Sequence, residues 1–147
     1  MSLSQIFDIA GTGMAAQSIR LNTTASNIAN ADSASSSTDD VYRARKPIFA
    51  AVQQNAMQQA LGGDFMTNKS ESQGVQVKGI VESDAALDMR FQPDHPLADE
   101  RGYVMYPNVN VVEEMADMMS ASRGFQTNID VMDAAKTMMQ RLLTLGQ

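Results

Sequence analysis

The residues best suited to chemistry in this 147-residue chain sit close together. His95, the only histidine, lies among Asp94, Asp99 and Glu100. An imidazole beside carboxylates is the donor set of a metal site or an acid/base pair. Such a site needs its groups to converge in a shielded pocket. The run Gln92-Pro93-Asp94-His95-Pro96, with Gly102 soon after, instead spells an exposed turn. Gly11-Thr12-Gly13 resembles part of a phosphate loop but has no strand before it and no Gly-Lys-Ser/Thr after it. Glycines in a crowded helix interface explain it better. Glu113 and Glu114 are neighbours on a helix, so their side chains diverge by about 100° and form no carboxylate dyad. Ser35, Ser36 and Ser37 read as a solvated loop. No cysteine, G-x-S-x-G or H-E-x-x-H is present. No catalytic, cofactor-binding or metal-ligating residue is therefore expected, and no enzyme.

A net charge of −6 and an isoelectric point near 4.6 argue against a nucleic-acid partner, because the 11 Lys and Arg are scattered rather than gathered into a patch. No run of 18 apolar residues offers a membrane span. A basic segment followed by an apolar core is also missing near residue 1, so a cleavable secretory signal is not expected.

With so little chemistry, the informative features are the elements themselves. From Val111 in steps of four and three come Val111, Met115, Met118, Ser122, Phe125, Ile129, Met132, Lys136, Met139 and Leu143, mostly apolar. That spacing predicts one stripe of a long helix that zips against another. Asn110 and Glu113 supply its start signal, and Glu113, Glu114 and Asp117 early with Lys136 and Arg141 late suit the helix dipole. A helix of this length reaches roughly 50 Å and needs a partner. Seven of the twelve Met fall from Met105 onward, and Met suits surfaces that pack against several different neighbours.

A second helix is predicted near the other end. Ser2-Leu3-Ser4-Gln5 has capping-box spacing, and Leu3, Phe7, Ala10, Met14, Gln17, Leu21, Thr24 and Ile28 repeat in the four-three rhythm. Between Leu3 and Ala31 the only charges are Asp8 and Arg20. A helix so poor in charge expects burial on nearly every side, more than one chain of this size supplies. Small residues within it allow close helix approach. The polar run Asp32 to Asp40 ends it. Extended segments are predicted at Tyr42 to Val52, with Pro47 marking either an edge strand or a break between two strands, at Val75 to Gly79, at Leu87 to Phe91 and at Gly102 to Pro107. Ala50 to Leu61 fits either a short helix or a mobile excursion.

The SNIANADS run, Ser26 to Ser33, resembles the Asn-rich signature of bacterial flagellar axial proteins. Pro107 to Gln147 is similar to the C-terminal module shared by rod and hook proteins, and HPLADERGYV, His95 to Val104, narrows the likeness to the proximal members of the flagellar basal-body rod family. Ala34 to Asp64 departs from the family pattern, being longer with an extra Gln/Ala tract.

The resemblance implies an elongated α+β protein. Residues 1–31 and 108–147 would form an antiparallel, coiled-coil-like core domain, and residues 32–107 a small β-rich domain with a mobile insertion at about 50–70. It implies a structural subunit of the periplasmic rod that polymerises and transmits torque. The partners it implies are other copies, sister rod proteins, the MS ring and its rod adaptor, and the flagellar type III export apparatus. No small-molecule substrate is implied, and no membrane-spanning segment. The expected assembly residues are Leu3, Phe7, Met14, Leu21 and Ile28 with Met115, Met118, Phe125, Ile129, Met132, Met139 and Leu143. Asn22, Asn27 and Asn30 would bond between subunits and hold register. Plain capping or turn formation near a helix end is the alternative for these asparagines, weightier for Asn30 than for Asn22. Other readings compete: another flagellar axial protein such as a sister rod subunit, a soluble helical adaptor folded at both ends in isolation, and a cell-wall hydrolase, for which no acid/base pair is supplied.

Overall fold

The computed structural model describes residues 3–37, 39–53 and 72–145. Helix α1 spans Leu3–Ala29, strand β1 Arg45–Gln53, β2 Ser72–Glu82, β3 Asp88–Phe91 and β4 Tyr103–Tyr106, and helix α2 spans Val111–Leu145. The class is α+β: two long helices enclose, in sequence, two antiparallel strand pairs. Ser2 and most of the Gln/Ala tract, with the excursion expected there, lie outside the described residues; Ala50 to Gln53 belong to β1.

α2 begins where its cap requires. The Asn110 side-chain oxygen accepts the backbone N–H of Val112 at 3.1 Å and of Glu113 at 3.4 Å, satisfying two of the amides a helix start leaves open. α1 closes through Asn30, whose backbone N–H reaches the carbonyls of Ser26 and Asn27. The helices pack against each other in antiparallel sense. Gly13 faces Asn128, Gln17 faces Gly124, and Arg20 meets Asp117 at 2.6 Å, so numbers rise on one helix as they fall on the other. At Gly13 a Cβ would stand 2.9 Å from the Asn128 amide nitrogen. A larger residue at position 13 would require the Asn128 side chain to move.

β1 and β2 pair from Arg45↔Glu82 to Gln53↔Ser72, with irregularities at Ile48/Phe49 and Ala51/Gln53. Of the two roles open to Pro47 it has the edge one: β1 runs through it unbroken and, among the described residues, hydrogen-bonds only to β2. The pair lies against α1, where Val75 N–H donates to Thr12 Oγ1 at 3.2 Å. Gly74 beside it has φ +127°, and a Cβ there would collide with Thr12 Oγ1. β3 and β4 pair from Asp88↔Tyr106 to Phe91↔Tyr103, and Ser35 bridges to Met105 on the other edge of β4. Phe91 and Tyr103, directly opposite, stack edge to face with centroids 5.3 Å apart.

Most of the buried apolar residues are alanines: Ala10, Ala16, Ala31, Ala44, Ala121 and Ala135, joined by Val41, Val104 and Tyr106. Among the described residues the Leu, Ile, Met and Phe side chains all stay at least partly open.

Candidate assembly surface

The buried stripe of α2 is set by small residues. Glu114, Ala121 and Ala135 are buried, and with Asn128, which faces Gly13, they recur every seventh residue. Met118, Phe125 and Met132 form the companion row at the same interval, half-buried, with Ile129 beside them. Met118, Phe125, Ile129 and Met132 thus flank the contact with α1. Met115 is 51% exposed, Met139 47% and Leu143 66%. Met115 points away from the stripe by its position on the helical wheel, roughly 100° from Glu114. Met139 and Leu142 continue the stripe, but α1 does not accompany it that far. Ten residues back from Gly13 is Leu3, ten on from Asn128 is Met138, and α2 runs on to Leu145.

On α1 the deepest residues are Ala10, Ala16, Thr23, Thr24 and Asn27. Phe7, Met14, Leu21 and Ile28 form a neighbouring, half-buried row. Leu3 opens the helix, and its side chain lies outside the described part. The centre of the helix contact therefore consists of small and polar groups, with the large apolar ones along its margins. The only buried side-chain atom without a hydrogen-bond partner among the described residues, Gln17 Oε1, belongs to this contact.

The three asparagines sit in different surroundings. Asn22 is exposed, and its backbone carbonyl accepts Ser26 Oγ at 2.9 Å. Asn30 is half-buried; its Nδ2 donates to the Ser26 carbonyl at 2.8 Å, a local bond of the kind weighed as the alternative to its intersubunit role. Asn27 is 1% exposed. Its Nδ2 donates to the Arg45 carbonyl at 2.8 Å, while its Oδ1 accepts the Tyr42 hydroxyl at 2.8 Å and Arg45 N–H at 2.9 Å. Burial raises the Tyr42 pKa above its ordinary value and Glu114 and Glu82 add to this, while the Arg45 guanidinium opposes it.

Asn108, which the sequence did not single out, makes a matching set. Its Oδ1 accepts Ala44 N–H at 2.8 Å, and its Nδ2 donates to the carbonyls of Ala85 at 2.9 Å and Ser83 at 3.3 Å. Nothing in the local sequence distinguishes it from an ordinary turn asparagine, because its partners lie more than twenty residues away.

His95 is built into a turn. Its Nδ1 accepts Leu97 N–H at 3.1 Å, and its backbone N–H reaches the Gln92 carbonyl. Asp99 Oδ1 accepts the N–H groups of Arg101 and Tyr103 at 2.9 and 2.8 Å. Among the described residues no group of three or more His, Asp or Glu is placed to hold a metal ion, and no helix there is long and apolar enough to cross a membrane.

Two family models match the chain. Residues 7–34 match "Flagella basal body rod protein", and residues 100–145 match "Flagellar basal body rod FlgEFG protein C-terminal". These spans hold α1 nearly whole and β4 with α2, the elements that meet in the helix contact. The flagellar basal-body rod protein FlgC of Salmonella typhimurium is 47% identical over 147 residues, covering all of both chains. That of Escherichia coli O6:H1 is 46% identical over the same span. That of Borreliella burgdorferi is 34% identical over 154 residues, covering all of this chain and 99% of the other.

Proposed function

This chain belongs to the FlgC family of flagellar basal-body rod proteins, and from that premise we propose that its two terminal helices are the parts that join it to its neighbours in the rod. It is a structural subunit of the flagellar basal body, and its relatives are named as rod components, not as catalysts. In the proposed arrangement the antiparallel helices pair in coiled-coil fashion, neighbouring copies and sister rod subunits cover their open sides, and the β strands face outward. The shaft so built crosses the periplasm and carries torque from the MS ring and its adaptor, and its subunits arrive through the flagellar type III channel without a cleaved signal.

The observation that carries this reading is the surface of α2. Met115, Met119, Met138, Met139, Leu142 and Leu143 are all about half exposed or more in a single chain. Fully burying each such side chain contributes about 1.5–3 kcal/mol, so a neighbour that covers several of them gains substantially. The margins of α1, with Phe7, Met14, Leu21 and Ile28 half-buried, offer a matching surface.

The test replaces Met138, Met139, Leu142 and Leu143 together with serine. The expected outcome is a monomer with a native urea midpoint that is absent from basal bodies isolated from cells carrying only this variant. Normal incorporation would overturn the proposal.

A further inference from the structure

Three segments of the chain meet at two consecutive residues, Ala44 and Arg45, where the chain enters β1. One edge of Arg45 pairs with Glu82 of β2. Its other edge is taken by the side chain of Asn27, which both receives the Arg45 N–H and donates to the Arg45 carbonyl. A carboxamide has the donor and acceptor of a peptide group, so Asn27 occupies the place a third strand would take. Ala44, one residue earlier, gives its N–H to Asn108 and accepts Ser83 N–H at 2.8 Å. Asn108 in turn holds the carbonyls of Ser83 and Ala85, where the chain leaves β2. Asn27 lies in the last turn of α1, and Asn108 lies three residues before α2.

We infer that Asn27 and Asn108 are positioning residues, which together form a joint fixing the β1–β2 pair at one angle to the two helices. Apolar contact alone allows sliding, but hydrogen bonds depend on direction as well as distance. Thr12, bonded to Val75 N–H about four turns up α1, supplies a second point of attachment. With the joint released, the strand pair pivots about that point. Every contact involved lies within one chain, so the inference goes beyond assembly and is tested without it.

Other residues at the joint do less to set the angle. Among the described residues the Tyr42 hydroxyl bonds only to Asn27 Oδ1, which keeps its backbone partner without it. The ion pairs Arg45–Glu82 and Lys46–Glu113 join largely exposed side chains.

The chain contains no cysteine, so cysteines introduced at exposed Val81 and Met119 carry spin labels at those two sites alone. The distribution of distances between the labels is measured on the full-length monomer by pulsed electron spin resonance. Asn27→Ala combined with Asn108→Ala is expected to widen that distribution about two-fold, because the strand pair loses its directional bonds. Tyr42→Phe, which spares both clamps, is expected to leave the width unchanged. Ala135→Gly, at the far end of the helix contact, is the control for loss of stability without release of the joint. Should the double variant fail to fold, Asn27→Asp keeps the acceptor and loses only the donor to Arg45, and it is expected to widen the distribution by a smaller factor. A native width in the asparagine variant that folds, or equal widening in Ala135→Gly, would overturn the inference.

Discussion

Asn27 shows how much one side chain can carry when it is dehydrated. Its two polar atoms serve three partners, and truncation to alanine would strand the N–H and carbonyl of Arg45 as well as the Tyr42 hydroxyl. Each unsatisfied group costs about 1–3 kcal/mol where water cannot replace the partner. Tyr42 adds a pH dependence. Its phenol must keep its proton to donate to Asn27, and burial first, then Glu114 and Glu82, favour the protonated form. A tyrosine whose folded pKa exceeds its ordinary value of 10.0 contributes stability that is fully present below pH 10 and is lost as pH rises through the folded value. Tyr42→Phe is therefore expected to be less stable than the parent by about 0.5–1.5 kcal/mol at neutral pH, the net worth of one hydrogen bond. Urea denaturation at pH 8, 10 and 11 measures the gap. It should narrow above pH 10; a constant gap would mean that Tyr42 ionises as it does in the unfolded chain.

At the scale of the elements, much was legible because local rules decided it. The start of α2 followed from Asn110, whose cap is present at the expected amides. Among the described residues each strand overlaps an expected extended segment, though β2 runs past Val75–Gly79 at both ends and β1 takes in Ala50–Gln53, a stretch open to other readings. Burial at the helix contact was less legible. On α1 the four-three rhythm contains the deep positions Ala10 and Thr24, with Gln17 between them facing Gly124, but on α2 its row Met115, Ser122, Ile129 and Lys136 lies one position past the buried Glu114, Ala121 and Ala135. Here helices that approach closely place Gly13, Ala121, Gly124 and Ala135 at the centre, and the large side chains are displaced to the margins. The glycine and alanine content of α1 carried that signal. The Asn27 and Asn108 sets were illegible for another reason: their bonds span up to 64 residues of chain, and no periodicity announces a pair so far apart. The two stripes predict opposite responses to substitution. Ala121 is 0% exposed, and Ala121→Leu is expected to cost about 1–3 kcal/mol by forcing the helices apart. Met115→Ala is expected to change monomer stability by less than about 0.5 kcal/mol, as exposed positions do. Comparable losses in urea denaturation would place Met115 in the contact.

The whole molecule holds its two ends unequally. Where the strands meet the helices, Asn27, Asn108, the Asn110 cap and the Lys46–Glu113 pair all converge. At the other end α2 continues past the level of Leu3 with Met138, Met139, Leu142 and Leu143 open. Few buried contacts and open backbone favour local opening. Hydrogen exchange on the isolated full-length chain is therefore expected to show a gradient along α2, slow over residues 114–121 and fast over residues 138–145. Uniform protection would mean that the far end already has its cover in a monomer, as a soluble adaptor would. The well-held end has a further property. Asn27 and Asn108 grip the strands with neutral amides, which neither titrate nor gather counter-ions. Ionic strength weakens exposed charge pairs such as Lys46–Glu113, but it has little hold on a carboxamide seated on a backbone. The angle between strands and helices should accordingly be the same in fresh water as in brine.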